Sequence, residues 1–279
     1  MKIRTLTGLV VAAALSIGLV ACSGSPAAES PSSDAPAQKK EVKVGILSRE
    51  EPEMRQVADY LATKGYTMKI EVLNDNIAMN RSTADGSLDA NWFQHQKYLD
   101  SQVKETGVAL KSYGPWLMTY ATIFVSSKYE TFDAMPDGAK IGLSEDAANQ
   151  SRSLKLLADN GYIELDEKVD LPGVFNVTKN PKNLEFVTSN PRSLTGMFPD
   201  LDGMIATSIS VYLMKDPSIN TLASESAQVA GDYGGLVWVV AKDSKPEDAE
   251  WLNLAIEYME SPEWRDWVKE YYGGLKFTP

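Results

Sequence analysis

At 279 residues the chain is long enough for one large or two ordinary domains, and 43% hydrophobic content supplies a sizeable core. A net charge of -11, with no clustered run of Lys and Arg, excludes a nucleic-acid surface. One Cys and one His exclude an intramolecular disulfide and leave almost nothing from which to build a zinc site.

In chain order, Lys2 and Arg4 precede an apolar stretch from Leu6 to Val20, which ends in Leu19-Val20-Ala21-Cys22. That stretch falls short of the ~20 apolar residues of a comfortable membrane span, so a secretory leader over 1–21 is expected rather than an uncleaved anchor helix. Leu-Val-Ala-Cys resembles the lipobox of bacterial lipoproteins, which implies a diacylglyceride on the Cys22 sulfur and cleavage before it. Two acyl chains anchor a protein stably where one does not. Residues 22–40, dominated by Ser, Pro and Ala, can bury nothing and read as a disordered tether reaching roughly 25 Å.

Folded structure is predicted from Val42. Val42, Val44 and Ile46 alternate as in a strand; Met54, Val57, Ala58 and Leu61 follow at helical spacing and stop at Gly65; Met68, Ile70 and Val72 alternate again. A strand–helix–strand unit this short implies parallel pairing through a right-handed crossover. Further strands are predicted at 123–125, 139–143, 184–187 and 236–241, and a helix over 153–158 ends at Asn160-Gly161. Pro246 opens a helix with Leu252, Ile256 and Met259 on one face, and Pro262 opens a last one whose Trp264, Trp267, Val268 and Tyr271 read as core. Alternating elements give the α/β class.

The densest mixed segment runs from Asp89 to Leu99 and carries Trp92, Phe93, the single His, Tyr98 and several amides. Apolar walls with a few directed polar groups describe a small-molecule cleft. The competing reading is a helix start with satisfied core aromatics.

Asp89-Ala90-Asn91, Phe93-Gln94-His95 and Tyr98-Leu99 resemble a motif of the NlpA-type lipoproteins, the methionine-binding components of a bacterial ABC importer, with Lys97 where that family usually has Pro. Asp146, Asn149 and Arg152 match a second motif, in which Ala147, Ala148 and Ser151 replace Pro, Thr and Gly. Asn180-Pro181-Lys182-Asn183-Leu184 matches a third.

The resemblance implies a two-lobe, periplasmic-binding-protein-like fold with hinge crossover strands: lobe 1 over 41–119, lobe 2 over 120–231 and a return to lobe 1 over 232–279. It implies that Arg152 clamps a ligand carboxylate, that Phe93, His95, Tyr98 and Tyr120 wall the pocket, and that Asn149 positions the loop around Arg152. Thr207 stands where the family has an Asn that contacts the ligand's amino-acid head, and a second Asn is lost near Gly235 to Val237. Methionine leads as ligand; a different amino acid or a short peptide stays open. Expected partners are an importer permease with its ATPase and the membrane reached through the anchor, placing a monomer on the outer face of the cell membrane. No cofactor, metal or catalysis is expected, since no nucleophile elbow, phosphate loop or metal spacing is present. An exported enzyme, with His95 as a general base, and a structural surface lipoprotein are the remaining, less favoured alternatives.

Overall fold

The structure, a computed structural model, describes residues 40–118, 120–233, 235–244 and 249–272. The leader, Cys22 and nearly all of the tether lie outside the described residues, as does Pro246.

Two five-stranded sheets organise the chain. The first is built from β1 (Lys40–Ile46), β2 (Tyr66–Val72), β3 (Ala90–His95), β4 (Leu110–Met118) and β12 (Gly235–Ala241), in the order β2-β1-β3-β12-β4. The expected unit is there: β1 pairs in parallel with β2 from Lys40↔Tyr66 to Ile46↔Val72, with α1 (Glu51–Thr63) between them. The strand already begins at Lys40 rather than at Val42.

Periodicity explains the layers. Val42, Val44, Ile46, Trp92, Trp238 and Val240 form one core with α1, α8 (Glu250–Glu260) and α9 (Pro262–Tyr272). In α9, Trp264 and Val268 are buried and Trp267 packs partly, but Tyr271 is exposed, so the predicted core stripe is one residue too wide. The opposite face carries α2 (Asn76–Ala84) and α3 (Gln96–Thr106), through Met79, Phe93 and Tyr98 in one cluster and Leu99, Val237 and Val239 in another.

The second sheet orders β5 (Thr122–Ser126), β6 (Lys140–Ser144), β9 (Glu185–Ser189), β10 (Gly203–Thr207) and β11 (Asn220–Ser224) as β11-β5-β10-β6-β9; β7 (Glu164–Leu165) and β8 (Val177–Lys179) form a separate hairpin-like pair. Phe124, Ile141, Leu143 and Ile205 pack under α4 (Ala147–Asp159), while Ile123, Val125 and Met204 meet α5 (Pro191–Met197) and α6 (Ser208–Met214). The chain crosses between sheets twice: after β4, through Tyr120, and after α7 (Ala227–Tyr233), into β12. This is a two-lobe α/β fold with crossover segments. Among the described residues no helix is long and apolar enough to cross a membrane.

Candidate functional site

The Asp89–Leu99 segment divides its polar groups between two jobs. Pairing of β3 with β12 slips between Val237 and Val239, which oppose Gln94 and Asn91, so β3 holds one extra residue there. Asn91 and Gln94 are thereby brought to one side, where Gln94 donates to Asn91 at 2.8 Å and to Asn80 at 2.6 Å, and Asn91 donates to Thr83 at 2.8 Å. These amides form a satisfied buried network with α2, and Trp92 is fully buried in the lobe 1 core. Of the segment read as a cleft, Phe93, His95 and Tyr98 remain available to a site.

His95 ends β3 and caps α3. Its Nδ1 accepts the Tyr98 backbone N–H at 3.1 Å, so the ring proton sits on Nε2, which donates to Asn149 Oδ1 at 3.1 Å. The Asn149 amide nitrogen in turn donates to both Asp146 oxygens at 3.1 and 3.0 Å, fixing the orientation of that side chain. A side-chain hydrogen bond therefore spans the lobes. Burial pushes the His95 imidazole down to about 4, against the pull of the Asn149 bond.

The segment around Arg152 is helix rather than the expected loop. Asp146 caps α4 by accepting the Asn149 N–H at 2.9 Å, and its second oxygen takes the Ser144 hydroxyl at 2.6 Å. Asn149 and Arg152 thus lie three residues apart on one helix face. Ala148, also in this first turn, packs against Met79, Phe93 and Tyr98 of lobe 1.

Arg152 is buried, at 2% exposure. Its Nε donates to Glu225 Oε1 at 2.8 Å and its Nη2 to Glu225 Oε2 at 2.6 Å, while Nη2 also reaches the Tyr120 carbonyl at 3.2 Å. Tyr120 contributes its carbonyl to this arrangement. The guanidinium carbon lies 4.3 Å from the centroid of Tyr233, whose ring meets His95 edge-on at 5.6 Å and has the Lys97 ammonium at 4.1 Å. Burial raises the Tyr233 hydroxyl to about 12, so it stays neutral. Phe93 and Tyr98 meet edge-on at 6.1 Å, and Tyr98 also meets His95 edge-on at 6.4 Å.

Thr207 is half-buried, and its hydroxyl bonds to that of Ser210 at 2.8 Å. Its backbone is closer to the cluster: it pairs with Thr122, whose N–H donates to Glu225 Oε2 at 2.8 Å. Leu236, within the stretch where the second Asn is absent, pairs with His95. Glu225 and Tyr233 are the members that sequence reasoning missed. An acid between two serines reads as a solvated turn, and only the fold turns it inward.

A cavity of about 20 Å³ adjoins Arg152, Glu225 and Tyr233. That is room for a water molecule, not an amino acid. A larger cavity of about 440 Å³ runs along α3 and β4 and includes none of the residues of this cluster. Among the described residues no group of three or more His, Cys, Asp or Glu is placed to hold a metal ion.

The family model for NlpA lipoprotein matches residues 42–278. The methionine-binding lipoprotein MetQ of Bacillus subtilis is 30% identical over 263 residues, covering 92% of each chain. The D-methionine-binding lipoprotein MetQ of Yersinia pestis is 32% identical over 84% of this chain and 86% of its own. Among solved structures, a putative methionine-binding lipoprotein from B. subtilis superposes with TM-score 0.76 at 28% identity, covering 86% of this chain and 98% of that one. A nutrient binding protein from Burkholderia cenocepacia bound to methionine gives TM-score 0.74 at 27% identity, over 85% of this chain and 99% of that one.

Proposed function

Because the chain belongs to the NlpA lipoprotein family, we propose that it is a lipid-anchored solute-binding protein that hands an amino acid, methionine first, to an ABC importer. The observation that carries this reading is Arg152: a buried guanidinium at the lobe junction, backed by the Tyr233 ring and joined through it to His95. Guanidinium stays charged at any working pH and suits a carboxylate. Phe93, His95, Tyr98 and Tyr120 would line the apolar part of the site. Asn149 would register the closed lobes against His95. The relatives named for methionine supply the leading ligand.

Lobe 1 comprises 41–119 and 232–279 in this proposal, lobe 2 comprises 120–231, and the crossovers near Tyr120 and Asp232 act as the hinge. Cys22 carries the lipid, holding a monomer on the outer face of the cell membrane, where a permease and its ATPase complete the importer. The role requires no catalysis and no cofactor. The second reading, another amino acid or a short peptide, is favoured by Thr207 and by Gly235 to Val237, where amides expected to hold the ligand's head group are absent. A buried group left without its partner costs about 1–3 kcal/mol.

Titration calorimetry of the full chain in detergent micelles, with both enantiomers of methionine, other amino acids and short peptides, tests the proposal. Saturable heat with methionine is expected. Heat with another amino acid or peptide alone moves the assignment to the second reading, and silence towards every compound overturns both.

A further inference from the structure

The geometry points to Glu225 as the residue that sets how Arg152 meets a ligand and which charge type the cleft accepts. The inference rests on the reading of Arg152 as the receiver of a ligand's acid end, and it follows from counting donors and acceptors.

Guanidinium has five N–H groups. The Nε–H and one Nη2–H go to Glu225, and Nη2 also serves the Tyr120 carbonyl. Among the described residues, both N–H groups of Nη1 are left. A ligand acid is therefore met by one nitrogen rather than by the side-on fork, which Glu225 already fills. The carboxylate is committed in the same way. It has about four lone-pair positions, and Nε, Nη2 and the Thr122 N–H take three of them. The remaining one is on Oε1.

Glu225 is itself held at both ends. Its backbone N–H donates to the Thr122 carbonyl at 3.0 Å while its side chain accepts from the Thr122 N–H, so a strand of the lobe 2 sheet grips main chain and carboxylate together. A guanidinium tied to that anchor on one edge and covered by the Tyr233 ring at 4.3 Å has little freedom to turn. Glu225 is a positioning residue.

It also sets the charge. Arg152 and Glu225 cancel each other. The Asp146 carboxylate is committed to Asn149 and Ser144, the His95 ring is neutral, and the Lys97 ammonium lies over Tyr233. A ligand that brings its own ammonium beside its acid group adds no net charge to this site. A bare carboxylate adds an uncompensated negative charge to a buried region, which is costly. Without Glu225 the site is cationic and the bare acid becomes the better match.

The test compares L-methionine with its counterpart lacking the amine, 4-(methylsulfanyl)butanoate, by calorimetry on the full chain in micelles. The parent should prefer the amino acid by tenfold or more. Glu225→Gln should shrink that preference at least tenfold, and Glu225→Asp, which keeps the charge, should preserve it. An unchanged preference in Glu225→Gln overturns the inference. A second measurement needs no ligand. In protein labelled with 15N-arginine, the Arg152 Nε–H, identified by its loss in Arg152→Lys, should exchange with water far more slowly than that of Arg55, whose side chain is 66% exposed. Equal exchange rates in the parent overturn the inference even if Glu225→Gln does not fold. A parent silent towards methionine with a protected Arg152 Nε–H sinks the methionine reading and keeps Glu225 as the anchor of Arg152.

Discussion

Arg152 and Glu225 have side chains 2% and 3% exposed, and a pair so deep has asymmetric energetics. Removing either partner strands the other as an unpaired buried charge, at about 3–5 kcal/mol, whereas replacing both by apolar side chains is often neutral or better. Arg152→Met and Glu225→Leu should each destabilise by that amount. The double variant should lose far less than their sum, read from urea unfolding midpoints at constant slope. Additive losses would mean that the two side chains are not coupled in solution. How much of this site could be seen beforehand follows from its chemistry. Arg152 was singled out by its place in a matched motif, because composition alone makes a lone arginine on a helix a surface residue. Glu225 and Tyr233 carry no local signature. Their inward direction comes from the pairing of β11 with β5 and from the crossover after α7, both long-range facts.

At the scale of elements, legibility tracked hydrophobic alternation. Strands β1, β2, β5 and β12 were found because Val, Ile and their polar neighbours alternate or run together over a buried sheet. Helix α2 was missed because its inward face carries Asn80 and Thr83 as well as Met79, and a helix that buries amides lacks the apolar stripe. The start of α4 was placed late for the same reason: its first turn is Ala-Ala-Asn-Gln, and its real signal is the capping side chain of Asp146. Glycine marks close packing in the second sheet. A Cβ on Gly203 of β10 would lie 2.6 Å from Phe124 Cε2 and 3.0 Å from Met135 Cε. The Phe124 ring is fully buried and packs edge-on against Phe132 and Tyr162 at 6.3 and 6.2 Å, so it cannot swing away. Gly203→Ala should cost about 1–3 kcal/mol through overpacking, measured as a lower thermal midpoint. An unchanged midpoint would show that the strand shifts at no cost.

Across the whole molecule, the lobes meet where the first turn of α4 sits on His95. Parting them for a ligand breaks the His95–Asn149 bond, which ties that motion to protons. In the closed form the imidazole titrates near 4, whereas in water its ordinary value is 6.5. Between those values an unfolded chain binds a proton that the folded one refuses, and a chain whose lobes have parted returns Nε2 to water and shifts in the same direction, so the closed form loses ground as pH falls through that window. Against the unfolded chain the full effect is on the order of 3 kcal/mol. Protonation also places a hydrogen on Nδ1, facing the Tyr98 N–H that it now accepts, so the charged ring cannot keep both of its present bonds. Glu53 on α1 acts in the opposite sense on folding. Burial raises its carboxyl to about 8, so stability is lost as pH rises from its ordinary value of 4.5 towards 8. That contribution is common to the parent and to a His95→Gln variant and cancels in their difference. Small-angle scattering without ligand should show the parent's radius of gyration growing between pH 7 and pH 4.5, while His95→Gln changes less over the same range. Equal growth in both proteins would place the acid sensitivity elsewhere and remove His95 as the proton-sensitive contact between the lobes.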